Sequence, residues 1–229
     1  MNNIQRGLED LAALVAIESV SAQGRNLPEA ADAVTALLEA EGFTVQRFAG
    51  QVAPILLAQA GSGPRTLLIY NHYDVQPESP LEQWDSPPFA LTELADSSGV
   101  VRLYGRGSSD DKGEIAVRLA ALRALKEQNG GQLPLKIKWL LEGEEEIGSP
   151  HLEDFVWQHK ERLACDASIG LDGGVNRTSL RPEVHLGIKA ILYVELRCKT
   201  LKQDTWSGRA QMLRNPAWRL IECLSSIAD

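Results

Sequence analysis

Four short stretches carry the side chains that bind cations or move protons. "LLIYNHYD" ends in His72 and Asp74, and "VRLYGRGSSDD" in Asp110 and Asp111. "IKWLLEGEEE" ends in Glu144, Glu145 and Glu146, and "ASIGLD" in Asp172. One imidazole and several carboxylates, with no cysteine among them, suit zinc or manganese at a reacting site rather than a thiolate-bound structural zinc. Three adjacent glutamates repel one another unless water or a cation offsets their charge. Taken singly, each stretch has a plain structural reading. A His-x-Asp is a common surface turn, "SSDDKG" an ordinary helix N-cap, "DGG" a turn signal, and a glutamate run a solvated face. Their conjunction points to a site.

Each stretch closes an apolar run that reads as a strand, so the question becomes which elements hold the four together. Ile4, Leu8, Leu11 and Val15 fall at helical spacing. Residues 28–41 read as a helix with Pro near its start and Gly42 beyond its end. "EIAVRLAALRALKEQ" is a third helix, closed by Asn129-Gly130-Gly131, and residues 150–163 a fourth. "FTVQRFA", "PILLAQA", "RTLLIYNHYD", "VRLYG", residues 133–141 and "DASIGLD" read as strands. The expected fold is α/β, a mixed, mostly parallel sheet with helices on both faces. In such sheets ligands bind outside the carboxyl ends of the strands, where all four stretches fall. After Gly187 the texture changes. "IKAILYVELRCKT" alternates with period two, as a half-exposed antiparallel strand does, and "NPAWRLIECLSSIAD" reads as a helix. The sequence therefore divides into domains at 1–187 and 188–229.

Bulk properties narrow the function classes. The chain has 229 residues, 44% hydrophobic and 24% charged, enough for one large or two small globular domains. A net charge of −8 argues against a nucleic-acid partner, which calls for a basic face. No apolar stretch is long enough to span a bilayer. Glu9 and Asp10 interrupt any signal-peptide core near the N-terminus. Cys165, Cys198 and Cys223 are odd in number and lack C-x-x-C spacing, which suits buried thiols in a reducing cytoplasm. Loops of EF-hand spacing are missing, which speaks against an acidic calcium-binding module.

In order and spacing, "YNHYDVQP", "WDSPPF", "LYGRGSSDDKG", "EGEEEIGS" and "NPAW" resemble the co-catalytic zinc metallopeptidases and amidohydrolases of the carnosinase, glutamate carboxypeptidase, succinyl-diaminopimelate desuccinylase and acetylornithine deacetylase type. The resemblance runs from about residue 8 to the end of the chain and looks closest to the carnosinase-like dipeptidase branch. It implies a hydrolase that cleaves an amide bond in a dipeptide or N-acyl amino acid through a water bridging two zinc ions, with manganese or cobalt as alternatives. It implies roles residue by residue. His72 and Asp172 would bind one metal, Asp110 would bridge both, and Glu146 would bind the other. Glu145 would be general base and acid, and Asp74 would orient His72. Residue types alone do not choose among the three glutamates; the family's Glu-Glu-x-Gly-Ser spacing selects Glu145 and Glu146 and leaves Glu144 over. The family also carries a cis peptide after the bridging aspartate, here Asp110-Asp111.

Two departures from the family pattern stand out. Its catalytic domain is interrupted by a small α+β lid domain, and this chain ends inside the lid region. Residues 1–187 would then be the N-terminal part of the catalytic domain and 188–229 an incomplete lid and dimerisation domain, which leaves open a homodimer. The last metal-binding histidine would be missing, the second metal site incomplete, and the chain inactive alone. His151, His159 and His185 match no family ligand. In the lid, "DTWSG" places Trp206 where the family has a histidine. A non-catalytic relative, kept as a metal-binding or protein-interaction module, is the alternative reading.

Overall fold

A computed structural model of the chain describes residues 2–95, 97, 99–170, 179, 181, 183, 187, 191–203 and 205–227. The chain divides into two compact units, Met1–Glu183 and Val184–Asp229.

In the first unit, strands β1 (Thr44–Phe48), β2 (Ile55–Ala60), β3 (Thr66–His72), β6 (Lys136–Glu142) and β7 (Ala167–Gly170) form a five-stranded sheet in the order β1-β2-β6-β3-β7. β3 pairs parallel with both β6 and β7, while β2 runs antiparallel to β1 and β6. Only β2 therefore opposes the others, and the sheet is mixed and mostly parallel. A separate hairpin pairs β4 (Thr92–Ala95) with β5 (Val101–Tyr104). Neither edge of β4 carries a clear sequence signal, and its four residues follow a long Pro-rich stretch.

Side-chain alternation along the central strands sorts two apolar layers. Leu56, Ala58, Ile69, Ile137, Trp139 and Leu141 face a core built with α1 (Asn3–Val15), α2 (Leu27–Ala40) and α3 (Lys112–Gln128). The intervening Ile55, Leu57 and Leu140 face Phe155 of α4 (Leu152–Gln158) and Leu163 of α5 (Lys160–Leu163). Helices thus cover both faces. Each fully buried Leu contributes about 1.5–3 kcal/mol relative to exposure. The helix expected over 150–163 is two pieces. His159 adopts φ −114° and ψ 17°, and its ring packs 4.5 Å from Phe155 and 4.9 Å from Phe48. That aromatic packing on the β1 edge breaks the continuous helical run.

Charge joins the helices at the other end of the layer. Glu41, just after α2, is buried and meets Arg123 at 2.7 Å, Arg6 at 2.9 Å and Lys126 at 3.3 Å. Arg123 also meets Asp10 at 2.5 Å. One ion-pair cluster around the buried Glu41 and Arg123 therefore ties α1, α2 and α3 together.

In the second unit, α6 (Pro216–Ile227) follows a 3-10 segment, Ser207–Met212. The strand expected over 188–200 does not form in its described part: residues 191–200 have no regular secondary structure. Period-two alternation makes a strand only where a neighbour takes up its backbone groups. Here Ile191, Leu192, Tyr193 and Val194 are all exposed. The cysteines differ from expectation too. Cys165 and Cys223 are exposed and Cys198 is half-buried, because they lie in a connecting loop, on an uncovered helix and in an irregular segment.

Candidate metal centre

Parallel pairing sets His72, the last residue of β3, opposite Glu142, the last residue of β6. The carboxyl ends of these two central strands open onto one edge, and the next residues of each build the site. His72 is 2% exposed. Its Nε2 lies 2.9 Å from Oδ1 of Asp110 and 3.9 Å from Oε2 of Glu145. On the other side of the ring, Nδ1 lies 3.1 Å from the Asp74 carbonyl oxygen and 3.3 Å from its Oδ1. Oxygen acceptors on Nδ1 aim the ring so that Nε2 faces Asp110. Burial works against a charge on the ring, but Asp110 and Asp74 outweigh it and push the His72 pKa up to about 11.

The buried Asp74 also organises the glutamate run. Its Oδ1 accepts the Glu145 amide N–H at 3.2 Å and its Oδ2 the Glu146 amide N–H at 3.1 Å. Those residues open a short 3-10 turn, Glu145–Ile147. The turn sends the three carboxylates different ways, which limits their repulsion. Glu145 faces His72. Glu146 accepts from Nε2 of Gln76 at 2.7 Å, and burial raises its pKa. Glu144 turns away, accepting from the amides of Val52 and Ala53 and meeting Nδ1 of His151. Glu142 is buried beneath the turn, where Oε1 accepts from Tyr70 at 2.5 Å and Ser149 at 2.7 Å.

Asp110 and Asp111 come from the loop between β5 and α3, and the peptide joining them is cis, as the resemblance implies. Asp111 stands at the N-cap position of α3 but makes no side-chain cap. Its Oδ2 instead accepts from the His72 amide at 2.9 Å and from Nδ2 of Asn71 at 2.6 Å. Burial pushes the Asp111 carboxyl up to about 7 against the pull of His72 and Asn71. Asn71 is held in turn by Nε1 of Trp139, at 2.9 Å, and by Arg118. Lys112 is fully buried and donates to the carbonyls of Leu14 at 2.9 Å and Ile17 at 2.6 Å, at the end of α1. Burial lowers its ammonium to about 7, with Asp74 pulling the other way. Gly113 is required by close approach: a Cβ there would sit 2.1 Å from the Ser108 carbonyl oxygen.

The structure brings His72, Asp74, Asp110 and Glu145 together. It leaves the Glu146 carboxylate beside Gln76. Asp172 and His185 lie outside the described residues. His151 joins Glu144, and His159 joins the aromatic cluster. Residue types and spacing did not single out Asn71, Gln76, Tyr70 or Glu142. Only their adjacency to the strand ends could have suggested them.

The donor set suits a divalent cation in kind, one imidazole with carboxylates. Asp110 and Glu145 approach the ring nitrogen that Asp74 leaves outward, and the hydrogen bonds and charge of Asp110 and Asp74 push the His72 pKa up against burial. A negative field of that kind favours positive charge, a proton or a cation alike. Among the described residues, no three His, Cys, Asp or Glu side chains converge closely enough to hold an ion.

An α/β sheet with a histidine and carboxylates at its carboxyl edge, the ring oriented from behind, is of the class that gathers ligands outside the strand ends. Residues 68–219 match the model of Peptidase family M20/M25/M40, and the chain belongs to that family. It is 30% identical over 247 residues to human Beta-Ala-His dipeptidase, covering 97% of this chain and 46% of the relative. It is 33% identical over 214 residues to Cys-Gly metallodipeptidase dug1 of Schizosaccharomyces pombe, covering 86% and 44%. Among solved structures, an M20 family metallo-carboxypeptidase from Sulfolobus solfataricus superposes with TM-score 0.83 at 35% identity, covering 96% of this chain and 49% of that one. The chain spans less than half the length of these relatives. No helix among the described residues is long and apolar enough to cross a membrane.

Proposed function

We propose that the chain carries the strand-end half of a metal-dependent peptide hydrolase centre that cleaves an amide bond in a dipeptide or N-acyl amino acid. The observation that carries the reading is His72, with Nε2 2.9 Å from Asp110 and Nδ1 backed by Asp74. His72, Asp110, Glu146 and Asp172 would hold two zinc ions. Bound there, a divalent cation supplies Lewis-acid polarisation and a more acidic water. Asp74 fixes the ring tautomer and, through the Glu145 and Glu146 amides, the turn that presents both carboxylates. Glu145, half-exposed beside His72, takes the proton from the attacking water and returns it to the leaving amine.

Residues 1–187 form the catalytic portion in this reading and residues 188–229 the lid. Large apolar side chains exposed on the second unit, Trp218 and Ile221 among them, support self-association through it. The setting is cytoplasmic, in keeping with three unpaired cysteines. The dipeptidase relatives make β-alanyl-histidine and cysteinyl-glycine the first substrates to try.

Zinc titration by calorimetry and a dipeptide assay, on wild type, Glu145→Gln and Glu146→Gln in an intact enzyme context, test the reading. Glu146→Gln should lose zinc affinity. Glu145→Gln should keep it while turnover falls by about 10²–10⁴-fold. Equal loss of zinc in both variants overturns the division of roles. A second reading, a metal-binding module without turnover, is favoured by Trp206, which stands where the resembled family has a lid histidine. Indole offers one N–H and no charge. Zinc binding without hydrolysis of any dipeptide in an intact enzyme context selects that reading.

A further inference from the structure

Glu144 is the glutamate that the proposed chemistry leaves without a part, yet it is the most firmly held of the three. Its side chain is only 5% exposed. Oε1 accepts from the Val52 amide at 3.1 Å and the Ala53 amide at 3.0 Å, and Oε2 meets Nδ1 of His151. Its own carbonyl accepts from the Ser149 amide at 2.9 Å and the Ile147 amide at 3.3 Å. One residue therefore clamps the β1–β2 loop with its side chain and closes the turn carrying Glu145 and Glu146 with its backbone. The loop folds closely around the carboxylate. A Cβ on Gly50 would lie 1.8 Å from the Ala53 carbonyl oxygen and 3.5 Å from Oε1 of Glu144.

We propose that Glu144 is a positioning residue: by anchoring the turn to the β1–β2 loop and to His151, it sets the direction in which Glu145 and Glu146 face the site. The inference rests on the reading of Glu145 and Glu146 given above. Asp74 holds the far side of the turn through two amide bonds, and Glu144 holds the near side through a carboxylate. Charge-assisted bonds are about twice as strong as neutral ones, so a carboxylate suits an anchor. A turn pinned at one side alone can rotate, and a shift of about 1 Å in a reacting group costs roughly 10²-fold in rate.

The test compares Glu144→Ala and Glu144→Gln in the whole 229-residue chain. Hydrogen exchange is read at Val52, Ala53, Glu145 and Glu146, with the affinity and visible spectrum of Co²⁺ as a metal probe. In Glu144→Ala, exchange should speed at all four amides, Co²⁺ affinity should fall by about 10–100-fold, and the spectrum should shift. Glu144→Gln keeps an acceptor for Val52 and Ala53 and should restore most of each signal. His151→Ala removes a single partner, leaves the loop clamp in place, and carries the same exchange readout if Glu144→Ala does not fold. Faster exchange confined to Val52 and Ala53, or no change at Glu145 and Glu146 in His151→Ala, overturns the proposal. Failure of the underlying metal reading looks different: Glu146→Gln then binds Co²⁺ as wild type does, and exchange at Glu145 and Glu146 alone decides the role of Glu144.

Discussion

The backbone N–H of His72 donates to Oδ2 of Asp111 at 2.9 Å, so the residue beside one candidate ligand holds the backbone of another. Oδ2 also accepts from Nδ2 of Asn71, whereas the buried Oδ1 has no hydrogen-bond partner among the described residues. Asp111→Asn keeps one acceptor for both donors and should change stability by less than about 1 kcal/mol. Asp111→Ala orphans two buried donors at about 1–3 kcal/mol each. Urea unfolding of the two variants separates the cases, and equal losses would show that the acceptor is not what matters.

Asp74 touches Nδ1 of His72 and the amides of Glu145 and Glu146, so its removal should loosen the ring and the turn together. Asp74→Ala is expected to weaken zinc binding by about 10–100-fold, the usual effect of losing a partner behind a metal-bound histidine. Calorimetric titration measures this. An unchanged dissociation constant would remove Asp74 from the account of the site.

Gly143 lies between Glu142 and the glutamate run, against the ring of Tyr73. A Cβ there would come within 2.5 Å of that ring, which is fully buried and cannot swing aside. Gly143→Ala should destabilise the chain by about 1–3 kcal/mol through overpacking. Thermal unfolding reads the effect, and a midpoint equal to wild type would mean that the β6 exit shifts more freely than its packing suggests.

Glu41 gives the fold a pH dependence away from the site. Burial resists its charge, but Arg123 and Lys126 outweigh burial and hold its pKa below the ordinary 4.5. A carboxylate with a lowered folded-state pKa binds fewer protons folded than unfolded. Its contribution is therefore full above about 4.5 and is lost as pH falls through the folded value. Glu41→Ala should cost less than the roughly 3–5 kcal/mol of a fully stranded buried charge near neutral pH, because Asp10 still meets Arg123. The gap between wild type and variant should narrow in acid. A gap constant down to strongly acidic pH would show that charge is not the source.

Periodicity made the elements legible. Short apolar runs in "PILLAQA" and "IKWLLE", and helical spacing in "EIAVRLAALRALKEQ", are local signals that survive in any context. The convergence of the β3 and β6 ends was legible for the same reason, since parallel strands send their carboxyl ends to one edge, whereas the strand before Asp110 pairs in the separate hairpin. The period-two run after Gly187 misled because alternation specifies a face but supplies no partner strand. The helix over 150–163 was misjudged because nothing near His159 in sequence announces that Phe48 will pack on it.

By itself the sequence determined the α/β class, the apolar runs and the delivery of His72 and the glutamate run to strand ends, because each depends on residue type and near-neighbour spacing. Tertiary structure alone decided what each of those side chains does there. Glu144 meets Val52 across 92 positions, Glu145 meets Asp74 across 71, and His72 meets Asp110 across 38. Three adjacent glutamates are alike in sequence. They become an anchor, a group facing His72 and a group facing Gln76 only because packing closes those distances, and the electrostatics of a buried carboxylate depend on what packing places beside it.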